Sequence, residues 1–379
     1  MTRSSRGRFL RRLFNILIIS FEREYCASSV VSCVPVIVDL SLRHISVSTN
    51  QKRRIEETGM GGKSWNALQK LFLDKDGLRG IWAALLFYAA VTWMVKLCSG
   101  LVHLAPIMHL IHSWSGMGGL TPHYLFVLEL PRAVGALVVT AFIARLQRRR
   151  WTSYGFDYGP GSRETKFRAL KNLAYGSVCG FACLTALILL LKAFHAISFD
   201  GLLLGFGAAV RYGALWACAN LLVGVFEETT TRGCLVVTLG QPLSYWGASV
   251  IAALWFAQLH SANAGENVLG LIQVAVFSLL ASWSFYRTGT LFWAIGFHAF
   301  WNWTQIFLFG TIGSGVSFKD GLMSSHAVGN PLLSGGGAGP EGSILVLPVF
   351  AVAALMVFAM KPGRVMMQRV ADREPVQGA

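Results

Sequence analysis

Residues 214–232 read ALWACANLLVGVFEETTTR. Thirteen residues that could sit in hydrocarbon, interrupted only by small residues and Asn220, run straight into Glu227 and Glu228, with Arg232 four residues further on. Ionisable side chains in a membrane segment are costly, so they default to a functional reading. Two later apolar runs each carry a histidine, His260 and His298, and Asn302 follows His298 by four residues. These groups on three hydrophobic segments point to one polar site assembled inside a helical bundle.

The rest of the chain fits that setting. Of 379 residues, 54% are hydrophobic and only 13% charged, against about 25% charged in soluble domains. Several apolar stretches reach the ~20 residues needed to cross a bilayer as a helix. They are continuous and not alternating, which excludes an outer-membrane barrel. The expected fold is therefore all-α, a polytopic integral membrane bundle of about eight transmembrane helices, near 80–98, 123–145, 172–192, 202–226, 243–260, 268–286, 290–309 and 343–360. Gly240 and Pro242 form a helix stop, so the helix carrying the glutamates is predicted to continue to about Leu239.

The formal charge of +15 does not point to nucleic acid. Between Arg145 and Lys171 there are eight Lys or Arg and two acids, whereas residues 99–124 contain no Lys or Arg. Such alternation follows the positive-inside rule, placing the 145–171 connection and the basic tail after Lys361 in the cytoplasm. An even number of spans agrees with both termini on that side, in a cell (inner) membrane. The Gly- and Ser-rich stretch 310–342 is expected to be an extracytoplasmic, flexible loop. Seven cysteines form no C-x-x-C pair, and give no disulfide framework or thiolate metal site.

Three regions follow: a basic extension over 1–64, a membrane domain over 65–361 and a basic tail over 362–379. In the first, five arginines precede an apolar run, residues 13–20, too short to span. It reads as a disordered extension, with Met60 an alternative start, or as a targeting or interfacial segment.

The polar residues fall into three spacings. In E-E-x-x-x-R, Glu228 and Arg232 are i,i+4 neighbours and can pair, while Glu227 points about 100° away and is free to act as a general base. In F-x-x-x-H, Phe256 precedes His260. In H-x-x-x-N, His298 and Asn302 share one helix face. Neutral donors on one face suit an oxyanion, although helix–helix hydrogen bonding uses the same residue types. At ~1.5 Å per residue, Glu227 lies ~20 Å before the Gly240 turn, His260 ~26 Å after it, and His298 ~12–15 Å in from the same side. Glu129 and Arg132, i,i+3 in another span, are expected to pair structurally.

The ordered set E-E-x-x-x-R, F-x-x-x-H, H-x-x-x-N over residues 170–310 resembles the CPBP (Abi) family. That family contains type II CAAX prenyl endopeptidases and bacteriocin-processing or immunity proteins. Residues 71–82 and the stretch 335–342 (GGGAGPEG) are also similar to what bacterial members carry. The resemblance implies an intramembrane endopeptidase acting on membrane-associated peptides or proteins. Glu227 would activate water with help from His260, His298 and Asn302 would stabilise the tetrahedral intermediate, and Glu228 with Arg232 would hold the first motif in shape. No cofactor is favoured. A zinc-dependent version would use Glu227, His260 and His298 as ligands, but H-E-x-x-H is absent and Asn302 is a poor zinc ligand. A non-catalytic immunity or scaffold protein is the competing class, and a proton-relaying transporter a third.

Overall fold

A computed structural model describes residues 71–74, 77–115, 120–157 and 163–360. The 1–64 extension and the 362–379 tail lie outside these residues. The chain divides into two units, Met1–Trp82 and Ala83–Ala379. The described part of the first is an antiparallel pair, β1 (Leu73–Asp74) with β2 (Gly77–Leu78). It is closed by Trp82, whose indole N–H donates to the Leu71 carbonyl at 3.0 Å. Helix α1 (Gly80–Val102) begins there.

The second unit is helical. It contains α2 (Ala105–Ser115), α3 (Pro122–Leu146), α4 (Arg163–Ala193), α5 (Phe206–Glu228), α6 (Tyr245–His260), α7 (Val268–Thr288), α8 (Phe292–Trp303) and α9 (Val346–Ala359). Polar side chains open several of them, as N-caps require: the Ser244 hydroxyl accepts from Gly247 N at 3.0 Å and the Asn267 side-chain oxygen from Gly270 N at 2.9 Å. Helix α7 ends where Gly289 turns left-handed, φ 72°.

Among the described residues, five stretches are long and apolar enough to cross a membrane: Gly80–Val102, Pro122–Leu146, Phe167–Ala193, Phe206–Leu239 and Val268–Thr288. Helices α6, α8 and α9 are shorter, with 16, 12 and 14 residues. The chain is an all-α membrane protein, but these lengths alone do not carry the count of eight spans. The helix predicted to end near Leu239 does so, through a π-helical stretch Thr229–Val236 and a last turn Val237–Leu239. Its start differs from expectation. Residues 197–202 form strand β3, paired antiparallel with β4 (Met323–Ala327), and the helix opens only at Phe206.

The predicted flexible loop is likewise corrected. Residues 310–342 hold β4, short helical turns and backbone hydrogen bonds such as Gly265 N to Gly315 O at 3.2 Å. Glycine here serves close packing and tight turns more than chain freedom. A Cβ on Gly339, at φ 81°, would overlap the Ile312 carbonyl oxygen.

Helix α8 sits against the backbone of α4. A Cβ on Gly176 would overlap the Trp293 carbonyl oxygen, one on Gly180 the Phe297 carbonyl oxygen, and one on Gly296 the Leu173 carbonyl oxygen. Gly176 and Gly180 form a G-x-x-x-G spacing, which lets two apolar helices approach where lipid offers no hydrophobic drive to associate. This contact sets the position of α8, which carries His298. Gly180→Val is therefore expected to lower stability by about 1–3 kcal/mol through overpacking. Gly207→Ala, where the added Cβ meets nothing within 4 Å, should be close to neutral. Thermal unfolding of the two variants in detergent checks the contrast.

Candidate active site

The glutamates sit at the junction where α5 widens into the π-helical stretch. Three consecutive threonines follow them. β-Branched side chains crowd an α-helical turn, and the Thr230 hydroxyl donates to the Glu227 carbonyl at 3.1 Å. A Cβ on Gly233 would lie only 2.9 Å from the Tyr154 carbonyl oxygen, so the widened turn also packs closely on its neighbour. Wide turns of this kind often mark functional sites.

Glu228 and Arg232 are fully buried, with no side-chain exposure, and pair at 3.1 Å. The same Glu228 oxygen lies 2.9 Å from His298 Nδ1. The Arg232 guanidinium lies over two rings, 4.7 Å from the centre of Phe256 and 5.3 Å from that of Phe277. Such cation–π contacts offset part of the cost of a buried charge. The phenylalanine of F-x-x-x-H therefore has a physical role: one face of the site rests on it, and its ring centre is 4.6 Å from that of His260.

His298 bridges both glutamates. A paired, ionised Glu228 only accepts, so Nδ1–H is the donor, and Nε2 faces Glu227 Oε2 at 3.5 Å. Spacing put His298 and Asn302 on one helix face, and the resemblance implied that Glu227 works with His260. His260 instead donates its Nδ1–H to the Phe256 carbonyl at 2.9 Å, which leaves Nε2 as the ring nitrogen with a free lone pair. Glu227, His260, His298 and Asn302 all line one cavity of about 310 Å³. Its walls mix apolar side chains such as Leu128, Val223, Phe277 and Ile306 with polar ones such as Asn220, Gln273 and Gln305.

Residues set aside in the sequence reading also reach this cavity. Glu129 and Arg132 on α3 line it, paired at 2.7 Å, with Arg132 donating to the Ser99 hydroxyl at 2.8 Å. Opposite charges inside an apolar span were the available signal. Ser314 and Glu341, from the segment between α8 and α9, complete the wall. Among the described residues, no group of three or more His, Cys, Asp or Glu side chains is arranged to hold a metal ion. The zinc set named from sequence, Glu227, His260 and His298, is not drawn together as one.

Residues 209–304 match the family model described as type II CAAX prenyl endopeptidase Rce1-like. That stretch is similar to this family. It contains Glu227, Glu228, Arg232, His260, His298 and Asn302 and excludes Glu129, Arg132, Ser314 and Glu341. No curated protein and no solved structure matches the chain. The protein is thus an integral membrane protein, and Glu227, Glu228, Arg232 and the two histidines lie in the segment that matches this family model.

Proposed function

We propose that the chain is an endopeptidase that hydrolyses a peptide bond of a membrane-associated peptide or protein, with Glu227 as general base on a bound water. The observation that carries this reading is the position of Glu227. It stands on the cavity wall against His298, which Glu228 and Arg232 anchor from behind.

The steps balance without any further group. Water gives a proton to Glu227 as its oxygen attacks the scissile carbonyl carbon. The resulting oxyanion accepts a hydrogen bond from the Asn302 amide. The proton then passes to the leaving amine as the carbon–nitrogen bond breaks. His260, with Nε2 free, serves as the second proton-handling group beside that water. The mixed lining offers apolar surface for side chains beside polar groups for a peptide backbone. In the membrane, the basic 145–171 connection faces the cytoplasm.

A scaffold that keeps the same groups for packing is the competing reading, favoured by the pairing of Glu228 Oε1 with both Arg232 and His298. The deciding experiment uses purified protein in liposomes and a farnesylated peptide with a free C-terminus. Cleavage is expected to persist after EDTA treatment. Asn302→Ala should lower kcat by about a hundred- to a thousandfold with KM little changed, since an oxyanion donor acts in the transition state. Loss of cleavage on chelation and its return with Zn²⁺ would replace the metal-free mechanism. No cleavage under any condition would leave the scaffold.

A further inference from the structure

We infer that Glu341, outside the matched segment, is a positioning residue that clamps the histidine end of α6 to the helix bearing His298 and Asn302. The inference rests on the endopeptidase reading. Glu341 is 5% exposed, and a carboxylate so deeply buried needs compensating donors. It has three. Oε1 accepts from the Trp301 indole N–H at 2.9 Å, and Oε2 accepts from the Ser314 backbone N–H and hydroxyl, each at 2.7 Å.

These bonds form a continuous path between two catalytic helices. Trp301 lies between His298 and Asn302 on α8. It is itself 3% exposed, and its ring centre is 5.7 Å from that of Phe297 and 5.3 Å from that of Phe350. At the other end, the Ser314 carbonyl accepts from the Asn263 side-chain amide at 2.8 Å, and Asn263 N donates to the His260 carbonyl at 3.0 Å. One carboxylate therefore connects the C-terminal end of α6 to the middle of the catalytic face of α8. Both Glu341 and Ser314 also line the cavity.

The surrounding backbone is built to hold that carboxylate still. Pro340–Gly342 is a 3-10 turn, and Ser314 carries a left-handed φ of 43°. A Cβ on Gly265, beside the His260 loop, would overlap the Gly337 carbonyl oxygen. Nearby Glu266, in the α6–α7 connection, is held above the ordinary carboxylate range by burial, against the lowering effect of the Asn267 N–H, with the Glu341 charge adding to the rise.

The test compares wild type, Glu341→Gln and Trp301→Phe in liposomes with the farnesylated peptide. A glutamine replaces one accepting oxygen by an NH₂ donor, so it cannot accept from the Trp301 indole on one side and the Ser314 backbone N–H on the other. Losing a charge-assisted bond of this kind corresponds to about ten- to a hundredfold. We expect kcat to fall by that factor in Glu341→Gln with KM within about threefold. Trp301→Phe should show the same split, and the double variant should be no worse than the poorer single. The ¹⁹F signal of 5-fluorotryptophan at position 301, assigned by its absence in Trp301→Phe, should move in Glu341→Gln. If Glu341→Gln does not fold, Trp301→Phe alone decides by its kcat and KM. An active wild type with unaltered kcat in these variants overturns the clamp. An inactive wild type overturns the endopeptidase reading and the clamp's catalytic role with it.

Discussion

Glu227→Gln is expected to reduce kcat on the farnesylated peptide by about a hundred- to ten-thousandfold, the range a general base contributes. The amide is nearly isosteric with the carboxyl group, but it cannot take a proton from water at working pH. Its effect on folding should be small. Glu227 is the more exposed of the two glutamates, with a quarter of its side chain accessible, and it meets His298 at 3.5 Å without a shorter bond to lose. Thermal unfolding close to wild type, together with lost turnover, separates a chemical role from a structural one. Full activity in this variant would move the base elsewhere in the cavity.

Arg232→Met should act in the opposite way, on stability first. Removing the guanidinium leaves Glu228 fully buried with His298 as its remaining partner. Breaking a buried ion pair from one side costs about 3–5 kcal/mol. The rings of Phe256 and Phe277 lose the cation that lies over them as well. The double change Glu228→Gln with Arg232→Met removes both charges and should recover much of that loss. Chemical denaturation in mixed micelles measures both variants. A single change as stable as wild type would mean that Arg232 does not compensate Glu228.

The helical class of the fold was legible because continuous apolar runs leave few alternatives in a bilayer. The end of the glutamate helix was legible too, since Gly240 and Pro242 stop it locally. The pairing of Ile197–Leu202 with Met323–Ala327 was not. It joins segments more than a hundred residues apart; Ile197-Ser198-Phe199-Asp200 alternates for only four residues, and Met323–Ala327 does not alternate. The stretch 335–342 looked flexible from composition, yet its glycines permit close packing on the loop after His260. Gly176 and Gly180 were readable as a packing face and were missed.

Within the site, spacing along one helix identified side chains but not how helices turn toward each other. It gave the Glu228–Arg232 pair, which is intrahelical. The resemblance, and not spacing, coupled Glu227 to His260, whereas the contacts of both glutamates run to His298. That geometry depends on the rotation of α8, set by glycine contacts with α4 that no single-helix argument contains. Glu129 and Arg132 were seen as a pair, but their cavity-facing position is a tertiary fact.

The central claim is that Glu227 activates a water that attacks the peptide carbonyl. A single-turnover reaction in H₂¹⁸O, with the farnesylated peptide and EDTA-treated protein in liposomes, addresses it directly. Mass spectrometry should find one ¹⁸O in the new carboxyl group of the product and none in the tryptic peptide bearing Glu227. Unlabelled product with ¹⁸O in the Glu227 side chain would mean covalent attack by that carboxylate, and absence of product would mean that the site does not hydrolyse peptides.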